Sequence, residues 1–287
     1  MKCRAFGSAD LRRVLASGAA RLKRTRQWNA RNVRATDHRP MAGEVVVKGD
    51  HGRATMPPVS HIDTKRQLLA RAYASCKSTH VAFIDESYVI PKHADAVSFY
   101  YAAAYVAPMS AHADIRAELV DIVGGTYWHS TEAHQDEDRR PVIHELCAYV
   151  GAGDDSEYVV LAVRSPIDVD DKDGEVARAL CLNALLSDLY SRGVALSVVE
   201  ERRHTKQRNR DEIIVKDLRR ANGIGRMQVH FTTPSIEPLL WVPDVVAFAQ
   251  SHETRGNDFG YIKGCAHKLF MLEVHAPEKQ QPPAAEA

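Results

Sequence analysis

The chain has 287 residues, enough to bury a sizeable core in one large domain or two small ones, and its 45% hydrophobic and 26% charged content is that of a globular protein. No apolar run approaches the roughly 20 residues needed to cross a bilayer, which argues against a membrane protein. Five scattered cysteines (Cys3, Cys76, Cys147, Cys181, Cys265) form no C-x-x-C pair, which argues against a disulfide framework or a cysteine zinc site and for a reducing, cytoplasmic setting.

Charge is unevenly spread. Residues 1–60 hold 13 Lys/Arg and 4 Asp/Glu, a net of +9, which leaves −8 for the rest of a chain whose net charge is +1. A basic arm before an acidic body fits a polyanion-binding tail, a solvated disordered extension, an Arg-rich transit peptide, or upstream residues before a start at Met41 or Met56. Little period is sustained there, apart from a weakly amphipathic stretch around Leu11 to Leu22.

Asp63 to Ser75 reads as a short helix with Leu68, Leu69 and Ala72 on one face. His80 to Ile84 is a short apolar run of the buried-strand type. Ala96 to Val106 is aromatic-rich and β-prone, a second strand ending before Pro108. Ser110 is placed to cap a helix carrying Ile115, Leu119 and Ile122, closed by Gly124-Gly125. Thr126 to His129 then reads as a short strand, Asp138 to Tyr149 as a helix and Tyr158 to Val163 as a strand.

Val176 to Tyr190 is the strongest helical pattern, with Gly193 as its stop, and Val194 to Val199 follows as a strand. Asp211 to Arg220 reads as a helix, Met227 to Phe231 as a strand, Leu239 to Ser251 as a final helix, and the Pro-rich residues 277–287 as a disordered tail. This order predicts an α/β protein: a mixed sheet flanked by helices on both faces.

Acids fall at the ends of these elements. Asp85 and Glu86 follow the strand ending at Ile84, Glu200 and Glu201 follow the one ending at Val199, Asp211 opens a helix, and Asp244 interrupts the apolar run Leu239 to Phe248. Ligands of open α/β sheets bind outside the carboxyl ends of strands. Carboxylates clustered there repel one another, and a divalent cation relieves that cost; hard oxygen ligands suit Mg²⁺ or Mn²⁺. Strand alternation allows one acid of each adjacent pair to face a common site, and the choice falls on Asp85 and Glu200.

Other candidates are weaker. His129, Glu132 and His134 fit a zinc site or groups that position substrate and move a proton, and His144-Glu145 reads as a surface pair. Arg202, Arg203, Lys206, Arg208 and Arg210 form a basic run read as a loop, suited to phosphate contacts. There is no Walker loop and no Gly-x-Ser-x-Gly elbow, and Gly223-Ile-Gly225 is too short for a dinucleotide fingerprint.

Phe83-Ile-Asp-Glu-Ser87, Glu200-Glu-Arg202 followed by Asp211, and Glu237-Pro-Leu-Leu-Trp-Val-Pro-Asp-Val-Val-Ala247 resemble, in that order, the opening, middle and closing motifs of the DUF3800 family. Tyr88 stands where most relatives have Gly, and Pro243-Asp244 where Ala-Asp is commoner. The resemblance implies a ribonuclease H-like domain over residues 77–275, after a basic, partly disordered extension 1–76 and before a tail 276–287. It implies a metal-dependent nuclease in which Asp85, Glu200 and Asp244 hold Mg²⁺ or Mn²⁺ and Asp211 is a possible fourth ligand. Arg202, Arg203, Arg208 and Arg210 would then contact the phosphates of DNA or RNA, and cleavage would leave a 5′ phosphate. The alternatives are a non-catalytic module of the same fold that binds nucleic acid or protein, and a phosphohydrolase of small substrates, which a narrow closed pocket rather than an open groove would favour.

Overall fold

The apolar run at His80 becomes the central strand, and it runs further than its apolar part. β1 (His80–Val89) stays paired with β2 (Phe99–Pro108) along its whole length, Asp85 opposite Ala103 and Val89 opposite Phe99. Asp85 and Glu86 therefore lie inside a strand rather than after one: main-chain pairing with β2 outlasts the apolar pattern. The structure is a computed structural model that describes residues 61–93, 96–257 and 259–275. These belong to the unit Pro57–Ala287; the unit Met1–Met56 lies outside them, as do the basic arm and the Pro-rich tail.

β3 (Tyr158–Arg164) pairs antiparallel with β2, β4 (Leu196–Glu200) parallel with β1, β5 (Gln228–Thr232) parallel with β4, and β6 (Leu269–Glu273) parallel with β3. The result is a mixed sheet of six strands in the order β5-β4-β1-β2-β3-β6. Seven α-helices accompany it among the described residues: α1 (His61–Ser75), α2 (His112–Val123), α3 (Ser130–Gln135), α4 (Arg140–Ala152), α5 (Glu175–Ser191), α6 (Thr205–Arg220) and α7 (Trp241–Thr254). No helix of the described residues is long and apolar enough to cross a membrane.

Alternation along β1 divides the core in two. Val81 and Phe83 pack with Val198, Tyr105 and residues of α2, α4 and α7, and α1 adds Leu69 and Ala72 to that side. Ala82 and Ile84 pack on the opposite face against Cys181, Leu182 and Leu185 of α5 and Val215 of α6. Helices thus cover both faces, which buries every residue of β2 from Phe99 to Ala107.

Three expectations need correcting. Thr126 to His129 forms no strand, because Trp128 is buried and its indole N–H donates to Ser130 Oγ at 3.0 Å, turning the chain into α3. Ser110 does not cap α2; Met109–Ala111 forms a 3-10 turn that leads into it with no side-chain cap. The basic run is no loop beyond His204, because α6 starts at Thr205. Gly124 does close α2, at φ +68°, where a side chain would be strained.

Beside α7 lies a cluster of rings. His252 is 7% exposed, its Nδ1 has no hydrogen-bond partner, and its ring centroid is 4.5 Å from that of His134 and 4.4 Å from that of Phe248. Burial, then His134 and then Arg255, pushes the His252 pKa down to about 4. A histidine held neutral by the fold binds fewer protons than it does unfolded between its folded and unfolded pKa values, so stability is lost as pH falls from about 6.5 toward 4. The expected loss is at most about 3 kcal/mol at about 1.4 kcal/mol per pKa unit. Urea midpoints at pH 7 and pH 4.5 should differ more in the parent than in His252→Phe. Equal pH slopes would dismiss this histidine as a cause.

Candidate metal and phosphate cleft

β1 outruns β4. The last paired residues of the two strands are Ile84 and Val199, so Asp85 and Glu200 come next in line on neighbouring parallel strands. Beyond them β1 keeps its partner β2 but has none on the β4 side. A cleft of about 490 Å³ opens there, lined by Asp85, Glu86 and Tyr88 of β1, Glu200 to His204, Trp128, His129 and Thr131 before and within α3, Arg178 of α5, Gln207 of α6, and Trp241 and Asp244 of α7.

Parity selects the acids that meet. Asp85 continues the Val81–Phe83 face and Glu200 the Leu196–Val198 face, the side covered by α7 and therefore by Asp244. Asp85 and Glu200 are in hydrogen-bonding contact; burial first, then Glu200, then Asp244, raise the Asp85 pKa well above the usual carboxylate range. Burial also raises Glu200, partly offset by the hydrogen bond from Asp85. Asp244 is raised by burial and pulled back by His129 and Ser130.

Ser130 donates its backbone N–H (2.9 Å) and its Oγ–H (2.8 Å) to the same Oδ2 of Asp244. Trp128 in turn donates to that Oγ. The start of α3 thus fixes the acid of α7. Ser130 was not singled out from the sequence, and its local signal, a Ser at a helix start, was hidden by reading this stretch as a strand.

Three residues that line the cleft carry a buried group without a partner: His129 Nδ1, Trp241 Nε1–H and Arg178 Nε–H. Among the described residues, no three His, Cys, Asp or Glu side chains stand ready-set as a metal cluster. The zinc trio is dispersed: His129 lines the cleft, Glu132 accepts from the Tyr127 hydroxyl at 3.0 Å, and His134 Nδ1 meets the Tyr261 hydroxyl at 3.0 Å.

Asp211 is not brought to these acids. It is 1% exposed, on the α5 side of the sheet, where its Oδ2 accepts from Arg178 at 2.9 Å. The same guanidinium, 3% exposed, donates to Glu86 at 2.6 Å, and Glu86 also accepts from the Tyr100 hydroxyl. Burial pushes the Asp211 pKa up to about 6 against the pull of Arg178, and Asp211 Oδ1 has no partner.

The basic residues divide likewise. Arg202 is held by Glu175 at 2.7 Å, Arg208 by Glu201 at 2.8 Å and Arg210 by Asp173 at 3.1 Å. Neither Arg208 nor Arg210 lines the cleft. Glu201 is further matched by Lys65 of α1, which leaves Glu200 as the unmatched acid of the pair. Among the described residues Arg203 has no carboxylate partner, and it lines the cleft.

No family model matches this chain, and no curated protein matches it either. The resemblance to the DUF3800 family is therefore not upheld. The three segments that carried it are short, and strand-end acids followed by an apolar helix recur wherever an α/β sheet ends in a polar site.

Proposed function

We propose that the cleft is the active site of a divalent-metal-dependent hydrolase of phosphodiester bonds in nucleic acid, with Mg²⁺ or Mn²⁺ held by Asp85, Glu200 and Asp244. The observation that carries this reading is the convergence of three carboxylates, from β1, β4 and α7, at the ends of two parallel strands. A ribonuclease H-like fold is part of the same proposal. It is supported by the antiparallel run β1-β2-β3 with β4 and β5 added in parallel on the far side of β1.

The donor set fits a hard cation. Three carboxylates whose ionised forms are disfavoured by burial, and in Asp85 and Glu200 also by neighbouring acids, are stabilised by positive charge. His129 Nδ1 is a further donor with no competing partner. When bound, such a cation activates water and neutralises charge on the phosphate.

The chain's own residues do the rest. Asp85 and Glu200 present oxygens from a sheet that cannot shift without unpairing β2, and Ser130 fixes the orientation of Asp244. Arg203 is free to meet a phosphate oxygen, while Arg202 is braced by Glu175 at the cleft wall. Trp241 offers an unmatched N–H to a substrate acceptor.

Calorimetric titration with Mn²⁺ tests the reading. The parent is expected to bind, and Asp85→Asn and Asp244→Asn to lose most of that binding; the amide introduced by Asp244→Asn would keep an acceptor for Ser130. A folded parent that binds no Mn²⁺ at millimolar concentration would favour a non-catalytic binding module instead.

A further inference from the structure

We infer, on the reading above, that Tyr88 is a stacking platform for an unpaired base, which makes single-stranded nucleic acid the substrate class of this cleft. Tyr88 is 45% exposed although it sits on the central strand of the sheet, and it lines the cleft. It is exposed because β4 has already ended, so the notch beside β1 is open at this residue.

One face of its ring is already occupied. Tyr88 pairs in register with Tyr100 on β2, and the two rings lie parallel, 1° between planes and 5.2 Å between centroids. Tyr100 is buried, and its hydroxyl is fixed on Glu86, which Arg178 holds in turn. The ring on which Tyr88 stacks is therefore held in place, while Tyr88 itself stays 45% exposed.

A flat aromatic face in a cleft that also holds an unmatched cation is the pattern that recognises bases and phosphates without reading sequence. Arg203 supplies the cation in the same cleft. Tyr88 is three residues along β1 from Asp85, a rise of roughly 10 Å, and leaves the strand on the opposite, α5 face; the cleft that both line lies past the end of β4, so a strand crossing that end would set a base on Tyr88 and a phosphate at the acids. In a duplex each base is stacked on its neighbours and its faces are closed to a side chain, so the platform selects an unpaired strand.

Fluorescence anisotropy with labelled 12-nucleotide single-stranded DNA and RNA and with the matching duplex, in EDTA so that nothing is cleaved, tests this on the full chain. The parent is expected to bind single strands more tightly than duplex. Tyr88→Ala should weaken single-strand binding about ten- to a hundredfold and leave duplex binding unchanged, while Tyr88→Phe should stay close to the parent. Equal binding by parent and Tyr88→Ala, equal losses on single strand and duplex, or no binding of any oligonucleotide by the parent would each overturn it.

Mn²⁺ titration of Tyr88→Ala separates this inference from the hydrolase reading. Retained metal binding with no effect on single strands sinks the platform alone. A Tyr88-dependent preference for single strands in a parent that binds no metal keeps the platform and removes the hydrolase.

Discussion

Asp85→Asn is expected to lower phosphodiester hydrolysis at least about a thousandfold, since a metal-held transition state is worth several kcal/mol and each 1.4 kcal/mol is tenfold in rate. The amide keeps the size of the side chain but offers a weaker donor to the cation. It also replaces a carboxyl whose ionised form burial and two neighbouring acids disfavour, so without metal the variant should be at least as stable as the parent. In millimolar Mn²⁺ the order reverses, because only the parent gains stability from binding. The assay is cleavage of a labelled single-stranded oligonucleotide in Mn²⁺, with Glu132→Gln, whose carboxylate meets Tyr127, as a control at parental rate. Parental cleavage by Asp85→Asn would end the hydrolase proposal.

Arg178→Met is expected to destabilise the protein by about 3–5 kcal/mol, which for a body of this size lowers the thermal midpoint by about 10 °C. The reason is the company Arg178 keeps. It is the guanidinium between Glu86 and Asp211, and removing it leaves two carboxylates facing each other in the fold. The pH dependence has a definite sign. Asp211 already titrates at about 6, above its unfolded value, so its neutral form favours the fold and that contribution is lost as pH rises through 6. Without Arg178 the Asp211 carboxyl shifts further up, and the variant should lose most stability above pH 6. Combining Arg178→Met with Glu86→Gln and Asp211→Asn should restore most of it. A variant within 1 kcal/mol of the parent, by urea denaturation at pH 7, would show that the cation contributes nothing net.

Apolar runs and helical stripes were legible because they state burial directly: His80 to Ile84, Tyr158 to Val163 and Val176 to Tyr190 all lie in the expected elements. The acids Asp85, Glu200 and Asp244 stood out because each interrupts or ends such a run. What pairs with an acid was not legible. Asp211 looked like a ligand because it opens a pattern near Glu200, yet α6 turns it inward onto Arg178.

A signal for that pair existed. Arg178, Cys181, Leu182 and Leu185 share one helical face, as do Asp211, Val215 and Leu218, so a cation and an acid each sat on an otherwise apolar stripe. β6 gave less to read: Leu269 to Glu273 lies at the sheet edge with Phe270 and Met271 half exposed, which blurs alternation. Ser130 was hidden by the β-prone residues before it, whose preference yields to the burial of Trp128.

β1 serves both faces of the sheet with adjacent acids, Asp85 toward α7 and Glu86 toward α5. Because side chains alternate strictly, a one-residue slip between Val81 and Ile84 would send each acid to the other face. A deletion would set Glu86 in the place of Asp85 beside Glu200, and an insertion would set Asp85 in the place of Glu86 before Arg178, with a shorter reach. The acid cluster and the Arg178 pairing would then be disturbed together by a single lesion. The reading frame of this strand is thus fixed twice over.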